Sequence, residues 1–474
     1  MKKGDLLTVS ITDYAFEGKG IAKINIEGAE DKKLVIFVNG GYPGDTLEVV
    51  ITKYKKTYAE ASLKTIITPS PVRTEPKCSY TKYCGGCKQQ NMIYENQAIY
   101  KQAQVKDIFE RLGGLYNFEF ENIVKADNYF YYRNKMEYSF AVKRWLTPEE
   151  INDELNIEDR DFALGMHLPN MYDKVLDIKE CFLQSELSNN ILNFTRDYFK
   201  NKGISIYSTK THEGLLRNLV IRTAYNTKDV MVNLVTSDEN DELMQDYCNK
   251  LINNYPEVTT FINNISKKKA SIAFGDYEKI YFGSGVNYDY IGRYKFRISA
   301  NSFFQTNTKQ AEKLYSAAKE YADIKDTDIV YDLYCGAGTI SIFVSDKANK
   351  VYGFETVEPA IKDGEINISI NDINNVKLFT ADLNKSFLEI VKNNNTENPD
   401  IIIADPPRSG MNPTTVKDIL KLSPKKIVYV SCNPATQARD IKLLIEGGYK
   451  LLKAKPVDMF PHTYHIENVA LLEK

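Results

Sequence analysis

Hydrophobic and polar positions change their spacing twice along the chain, and this defines three regions. Residues 1 to about 65 alternate apolar and polar side chains in short runs rich in Val, Ile and Thr, as in "LLTVSITDYAFEGKGIAKI". Strict alternation is typical of half-buried strands, and Gly18, Gly40 and Gly44 separate the runs. We therefore predict a small N-terminal β-barrel, resembling an oligonucleotide-binding barrel, over residues 1–68.

The second region mixes helical and strand patterns. The proline-bearing stretch "TPSPVRTEPKC" predicts a linker, and "YENQAIYKQAQVKDIFERLGG" predicts a helix that ends at two glycines. "LRNLVIRTAYNTKDVMVNLVTS" predicts a β-hairpin with its turn at "YNTKD", and "SKKKASIAFGDYEKIYFGSG", residues 266–285, predicts another. A mixed α+β central domain over residues 69–298 is the expectation.

From residue 299 onward, strand patterns alternate with helical ones. The helix "TKQAEKLYSAAKEYA" precedes the strand "DIVYDLY", and the strands "KVYGFE", "VKLFTAD", "PDIIIADPP" and "KIVYVSC" follow. This alternation is typical of βαβ units, so residues 299–474 are predicted to form a Rossmann-like domain with a mostly parallel sheet.

Composition narrows the class of protein. Of 474 residues, 43% are hydrophobic and 26% charged, and the net charge is −2, so a nucleic-acid partner would need a local basic patch. Two such patches are Lys53, Lys55 and Lys56, and the run at residues 267–269. No apolar run is long enough to span a bilayer, and no signal peptide is evident. We expect a cytoplasmic protein with no membrane association and no obligate protein partner.

Several polar residues follow directly after predicted parallel strands, where such sheets bind ligands. Gly336 and Gly338 follow the first strand in "DLYCGAGTIS", Glu355 ends the second, and Asp382 ends the third. The missing third glycine argues against a dinucleotide. A ligand with a ribose and an adenine but no phosphate fits better, and S-adenosylmethionine is such a ligand.

The fourth and fifth strands end in "DPPRSG" and "SCNPAT", so Asp405 and Cys432 belong to the same sheet edge. Taken alone, Cys432 is open to three interpretations: a metal ligand, a nucleophile or a small buried residue. Glu467 precedes the last apolar strand.

The chain has seven cysteines, too uneven a set for a disulfide framework. Cys78, Cys84 and Cys87 lie close together in sequence, and Cys181 lies far downstream. Four thiolates suit either a structural zinc ion or an iron–sulfur cluster. Cys248 and Cys335 are expected to be packing residues.

Taken together, these motifs resemble the uracil-5 methyltransferases of RNA, in particular the bacterial 23S ribosomal RNA enzymes with a TRAM domain and a [4Fe-4S] cluster. The resemblance is carried by "FFQTN", "DLYCGAGT", "GFE", "DPPRSG", "SCNPAT", "HIENVALL", "CSYTKYCGGCKQQ" and "ECFL". It implies that Cys432 is the nucleophile and Glu467 the general base. It also implies that the site for S-adenosylmethionine and the target base is lined by Gln305, Tyr334, Thr339, Glu355, Asp382 and Asp405.

The resemblance further implies that Cys78, Cys84, Cys87 and Cys181 hold a [4Fe-4S] cluster, and that 23S ribosomal RNA is the substrate, since the tRNA branch typically lacks the TRAM domain and the cluster. In the implied chemistry, the Cys432 thiolate adds to carbon 6 of uracil and makes carbon 5 nucleophilic. The alternatives are a tRNA uracil-5 methyltransferase, an RNA cytosine-5 methyltransferase, and a non-catalytic iron–sulfur RNA-binding factor.

Overall fold

The computed structural model describes residues 1–26, 29–152, 160–169, 171–270 and 273–474. Its first sheet confirms the predicted barrel. The strands are β1 (Leu6–Ser10), β2 (Asp13–Ala15), β3 (Lys19–Ile26), β4 (Ala29–Asn39), β5 (Thr46–Tyr54) and β6 (Tyr58–Thr68), in the order β1-β5-β6-β4-β3-β2. The sheet curls around one core, to which Val9, Ala22, Ile36, Val49 and Ala61 each contribute from a different strand.

The stretch after the barrel is not a loose linker. The Ser70 backbone N–H donates to Asp45 Oδ1 at 2.8 Å, and the Arg73 guanidinium donates to both oxygens of the same carboxylate at 2.7 Å. The predicted linker is thus an irregular segment that a buried carboxylate of the barrel fastens in place.

The central region is built on a second sheet. Its elements are α1 (Tyr94–Asp107), β7 (Glu119–Phe120), β8 (Lys135–Ala141), α2 (Pro148–Asn152), β9 (Ala163–Leu168), β10 (Met171–Asp177), α3 (Glu186–Asn201), β11 (Leu216–Thr223), β12 (Val230–Thr236), α4 (Asp241–Asn254), β13 (Thr260–Ile265), β14 (Tyr277–Phe282), β15 (Val286–Ile291) and β16 (Tyr294–Ser299). A π-helical turn, Ile108–Leu112, extends α1 to the two predicted glycines. The sheet order is β10-β9-β8-β11-β12-β13-β14, and β15 pairs with β16.

One predicted hairpin of this region is confirmed and the other is displaced. Strands β11 and β12 pair antiparallel across the predicted turn. Strand β14 pairs with β13, which lies before residue 266, so the first arm predicted within 266–285 is wrong; residues 271 and 272 lie outside the described part.

The third sheet carries the predicted βαβ units. Its elements are α5 (Thr308–Ala322), β17 (Ile329–Leu333), α6 (Thr339–Val344), β18 (Lys350–Glu355), α7 (Glu358–Ile370), β19 (Val376–Thr380), α8 (Leu388–Asn393), β20 (Ile401–Ala404), α9 (Pro413–Leu422), β21 (Lys426–Ser431), α10 (Pro434–Glu446), β22 (Lys450–Val457) and β23 (Glu467–Glu473). The order is β19-β18-β17-β20-β21-β23-β22-β7.

This order locates a ligand site. Strands β17 to β21 are parallel, and β23 runs antiparallel between β21 and β22. The chain order reverses between β17 and β20, and ligands bind beyond the carboxyl ends of the strands at such a switch point. The predicted Rossmann-like domain is thus confirmed as a fold class.

Parts of the central region belong to this third sheet. Strand β7 pairs with β22, and Ala98, Val105 and Phe109, in and just after α1, pack in the core beneath α9 and α10. The boundaries at 68/69 and 298/299 stay predictions. Among the described residues, no helix combines the length and the apolar character needed to cross a membrane.

Candidate functional site

The loop after β17 is shaped to bring backbone close to a ligand. Tyr334, Gly336 and Gly338 have φ angles of 66°, 55° and 73°, a left-handed conformation that glycine adopts most readily. Apart from Gly336 itself and its two chain neighbours, no residue has an atom within 4 Å of the place where a Gly336 Cβ would stand. The carboxylate of Asp332 accepts hydrogen bonds from the backbone N–H and the hydroxyl of Ser341 at 2.8 and 2.6 Å, which ties the end of β17 to α6.

The carboxylate predicted to bind the ribose hydroxyls, Glu355, is held by this loop. Glu355, at the end of β18, accepts hydrogen bonds from the N–H groups of Gly336 at 3.1 Å and Val357 at 2.9 Å. Asp382, just beyond β19, accepts one from the Asn384 N–H at 3.0 Å, and this bond lowers the pKa of Asp382. Both carboxylates therefore lie at the edge where the parallel strands end.

A buried tyrosine connects the other predicted residues. The Tyr315 hydroxyl on α5 lies 3.1 Å from the Thr339 hydroxyl. Burial raises the pKa of Tyr315, and the charges of Asp405 and Asp332 act in the same direction. A hydrogen bond from Gln305 reaches the same tyrosine. Tyr315 thus lies where α5 meets the ends of β17 and β20.

Cys432 and Glu467 come together through strand register. In the antiparallel pair of β21 and β23, Ser431 lies opposite Asn468, so the next residues, Cys432 and Glu467, adjoin at the strand ends. Asn433, which follows Cys432, caps α10 by accepting from the Ala435 N–H at 3.1 Å. The thiol is therefore fixed between a strand end and a helix start.

The electrostatics of the pair follow from burial. Burial, then the charges of Glu467 and Asp405, raise the pKa of Cys432 to about 11, and Arg408 acts in the opposite direction. Burial and then Asp405 also raise the pKa of Glu467 well above its usual value. Glu467 is 5% exposed, and its Oε2 has no hydrogen-bond partner. In the free protein, the site thus holds a thiol and an acid that favours its protonated form.

Arg408 is the cation of the site. Its carbonyl accepts hydrogen bonds from Asn433 Nδ2 at 3.0 Å and the Thr436 hydroxyl at 3.2 Å, so "DPPRSG" is fastened to the start of α10. Its Nη2 lies 3.1 and 3.3 Å from the ring nitrogens of His465. The loops after β20, after β21 and before β23 therefore meet around Cys432.

These groups fit S-adenosylmethionine. Glu355 offers acceptors to ribose hydroxyls, and the open space at Gly336 admits close approach of a ligand. Asp332 Oδ1 and Glu467 Oε2 are buried polar atoms without partners, so they are available to hydrogen-bond a ligand.

The predicted metal ligands also converge. Cys78, Cys84, Cys87 and Cys181 all line one largely apolar cavity, with about 430 Å³ of empty space that includes its opening to solvent. Burial raises the pKa of each of the four thiols. Within the described ranges, no group of three or more His, Cys, Asp and Glu side chains is placed to hold a metal ion.

The two basic patches differ in their partners. Lys53 pairs with Glu60 at 2.9 Å, and Lys55 and Lys56 lie exposed in the turn between β5 and β6. In the other patch, Lys267 pairs with Asp238 at 2.6 Å and Lys268 with Asp276 at 3.7 Å. The second patch is thus largely neutralised within the chain.

Sequence reasoning missed three residues of the site. Asp332 lies in "DLYCGAGT" and Arg408 in "DPPRSG", so their places near strand ends could have identified them as site residues. Tyr315 lies in the middle of α5 with no local signal.

Comparison with known proteins identifies the family. The model of the tRNA (Uracil-5-)-methyltransferase family matches residues 220–474, more than half of the chain, and the TRAM domain model matches residues 1–64. A relative from Chlorobaculum tepidum, an uncharacterized RNA methyltransferase, is 40% identical over 475 residues, covering 100% of this chain and 97% of the relative. A second uncharacterized RNA methyltransferase, from Bacteroides thetaiotaomicron, is 42% identical, covering 97% and 99%.

A solved structure is similar along nearly its whole length. It is the tRNA (uracil-54, C5)-methyltransferase of Pyrococcus abyssi in complex with S-adenosyl-L-homocysteine, with a TM-score of 0.74 and 27% identity, covering 98% of this chain and 100% of that one. The chain therefore belongs to the tRNA (uracil-5-)-methyltransferase family, as an RNA methyltransferase of the uracil-5 type that carries a TRAM domain.

Proposed function

We propose that the chain methylates carbon 5 of a uridine in 23S ribosomal RNA through a covalent adduct with Cys432. The observation that carries the proposal is the register of β21 and β23, which sets Cys432 beside Glu467 at the switch-point edge. Residues 299–474 would perform the chemistry. Residues 1–68 and 69–298 would bind the RNA.

The roles follow from the chemistry of uracil. In its ionised form, the Cys432 sulfur forms a bond to carbon 6, and the ring electrons make carbon 5 nucleophilic. S-adenosylmethionine supplies the methyl group when bound. Glu467, in its ionised form, then takes the proton from carbon 5, and the bond between Cys432 and carbon 6 breaks as the double bond returns. A carboxylate with a raised pKa is a stronger base than an ordinary one, as this step requires.

Two substitutions test the covalent mechanism. Cys432→Ala is expected to abolish methyl transfer while S-adenosylmethionine still binds. Glu467→Gln is expected to accumulate a methylated RNA–protein adduct on denaturing gels. Full turnover in Cys432→Ala, or neither adduct nor loss of rate in Glu467→Gln, would contradict the proposed roles. Asp326→Asn, in the exposed loop before β17 and so at the opposite edge of the sheet, is the control for adduct formation.

The choice of 23S ribosomal RNA rests on the TRAM domain together with the cysteine set, which the resemblance associates with ribosomal substrates. A tRNA substrate is the second candidate, favoured by the similarity to the Pyrococcus abyssi enzyme. Unmodified 23S ribosomal RNA and unmodified tRNA are offered separately with labelled S-adenosylmethionine. Label in 5-methyluridine from tRNA alone would overturn the ribosomal assignment.

Cys78, Cys84, Cys87 and Cys181 are the residues that would hold a [4Fe-4S] cluster. Support comes from the cavity that all four cysteines line, and four thiolates are the ligand set that such a cluster takes. When bound, the cluster would cross-link two segments that lie far apart in sequence. Iron and acid-labile sulfide in anaerobically purified protein, reduced in Cys181→Ser but not in Cys248→Ser, would support this. Stoichiometric zinc would refute it.

A further inference from the structure

One loop connects the catalytic edge to distant parts of the chain. Residues 458–466, here called the bridging loop, join β22 to β23 and lead directly into Glu467. Each carbonyl from 458 to 462 accepts a hydrogen bond from outside the loop. The donors are Gln310 Nε2 at 2.9 Å, Asn307 Nδ2 at 3.0 Å, Lys101 Nζ at 3.1 Å, the Tyr132 hydroxyl at 3.0 Å, and the N–H groups of Lys88 and Gln89 at 2.8 and 3.0 Å.

A buried ion pair lies at the start of this loop. Lys101 Nζ lies 2.7 Å from Asp458 Oδ1, and neither side chain is exposed. The Tyr94 hydroxyl donates to the other carboxylate oxygen at 3.0 Å. A buried pair is costly unless its remaining donors and acceptors are satisfied, and here the ammonium also bonds the Phe460 carbonyl. Helix α1, which carries Tyr94 and Lys101, thereby holds the first half of the bridging loop.

The cysteine segment, here residues 78–90 together with Tyr132, which packs against Cys87, holds the middle of the loop. His462 has a φ of 65°, and its N–H and Nδ1 contact Gln97 at 2.9 and 3.1 Å. The backbone next to Cys87 donates to the His462 carbonyl. Tyr132 packs against Cys87 and Cys181 with its ring, while its hydroxyl reaches the Pro461 carbonyl. The loop and the cysteine set are therefore in direct contact.

The far end of the loop meets the reacting groups. The Thr463 hydroxyl accepts from the His465 N–H at 3.2 Å, and His465 contacts Arg408. Glu467 begins β23 immediately afterwards. A displacement of residues 458–462 would move Glu467 relative to Cys432, because only four residues separate His462 from the start of the strand.

We propose that Lys101 and Tyr132 are positioning residues for Glu467, so that α1 and the cysteine segment set the rate at which the carbon 5 proton is removed. The inference rests on the proposed function of Glu467. It assigns to the cysteine segment an effect on one chemical step, separate from RNA affinity. Neither residue needs to touch the RNA or the methyl donor to have this effect.

Tyr132→Phe is the mildest test, because it removes one hydroxyl and keeps the ring between the cysteines. Its matched control is Tyr449→Phe, which also removes a buried hydroxyl that donates to a proline carbonyl, Pro424, at 2.7 Å, but at the opposite edge of the sheet. Lys101→Met is the stronger variant. Arg196→Met, which breaks another largely buried pair, with Asp177, is its control for lost stability.

The readouts separate the chemical steps. RNA carrying tritium at carbon 5 reports proton removal, and denaturing gels report the covalent adduct. Tyr132→Phe is expected to release tritium roughly fivefold more slowly, the effect of one hydrogen bond, with methylated adduct accumulating and the KM for RNA unchanged. Lys101→Met is expected to slow release about 100-fold. The Tyr449 and Arg196 controls are expected to keep the wild-type ratio of adduct to product.

The outcomes distinguish this inference from the proposed function. If Glu467→Gln accumulates adduct but Tyr132→Phe and Lys101→Met slow adduct formation and tritium release equally, the positioning role is wrong. It is equally wrong if both variants change only the KM for RNA, or change nothing. If the wild-type protein forms no adduct and Glu467→Gln accumulates none, the covalent function itself fails.

Discussion

The ionisation of Cys432 is the property that the site controls most directly. Burial, Glu467 and Asp405 raise the pKa of this thiol from 9.0 to about 11, while Arg408 opposes them. Two pKa units correspond to about 100-fold less thiolate near neutral pH than an unperturbed thiol would hold. At pH 7.5, alkylation of Cys432 by iodoacetamide should therefore be about 100-fold slower than alkylation of an unperturbed cysteine. Its rate should rise about tenfold per pH unit up to pH 11, because only the thiolate reacts.

Two variants should move this profile in opposite directions. Glu467→Gln removes the negative charge that Glu467 carries once it has ionised at higher pH, and this charge disfavours the thiolate, so the apparent pKa of Cys432 should fall. Arg408→Met removes the positive charge that favours it, so the pKa should rise. The rate is followed from pH 6 to 11 by mass spectrometry of the peptide that contains Cys432, which separates it from the other cysteines. Asp382→Asn is the matched control and should leave the profile unchanged.

A wild-type profile with its midpoint near pH 9 would show that burial and the two acids do not act on the thiol as inferred. A shift in the same direction in Glu467→Gln and Arg408→Met would refute the charge argument, since only a change in accessibility acts with one sign in both variants.

Three further predictions concern stability. Gly410→Ala should lower the free energy of unfolding, measured in urea, by about 2 kcal/mol, because φ is +78° and a Cβ would lie 2.5 Å from Asp440 Oδ2. Gly114→Ala, where φ is +63° and the surrounding space is open, should lower it by only about 1 kcal/mol. Burial raises the pKa of Asp332 to about 7, so between pH 4 and 7 the folded state keeps a proton that the unfolded state loses. The free energy of unfolding should therefore fall by up to about 4 kcal/mol from pH 4 to above pH 7. Asp332→Asn should flatten this pH dependence, which the urea midpoint reports. Asn433→Ala removes the cap of α10 and the bond to the Arg408 carbonyl, so it should lower the free energy of unfolding by about 1–2 kcal/mol.

The sequence predicts those parts of the fold whose signals are local. Helix α5 lies at its predicted bounds, because its apolar positions recur at helical spacing and Asn307 caps it. The strands β17 to β21 are predicted by apolar runs, each of which leads directly into a candidate site residue. Helices α9 and α10 were not predicted, although Asn412 and Asn433 cap them before a proline at the first turn.

The parts that the sequence did not predict depend on contacts between distant segments. The hairpin arm at 266–285 was misplaced because β13 has buried side chains along its whole length, so it lacks the alternation of a half-exposed strand. Apart from His465 and Ile466, which open "HIENVALL", the bridging loop carries none of the motifs, and its partner Lys101 lies 357 residues earlier in the chain. The juxtaposition of Cys432 and Glu467 required the register of β21 and β23, which local patterns do not specify.

The bridging loop and the charges at Cys432 belong to one physical argument. A buried thiol and a buried carboxyl that repel each other's ionised forms keep their protons in the free protein, so the site does not react until charge or geometry changes. Glu467 then gains strength as a base from the same burial that keeps it protonated, but only if it stays beside Cys432. Its position is fixed by β23 on one side and by the bridging loop on the other, and the anchors of that loop lie on α1 and the cysteine segment. Once both groups ionise, their repulsion favours separation, and rigid attachment of the loop is what keeps them adjacent.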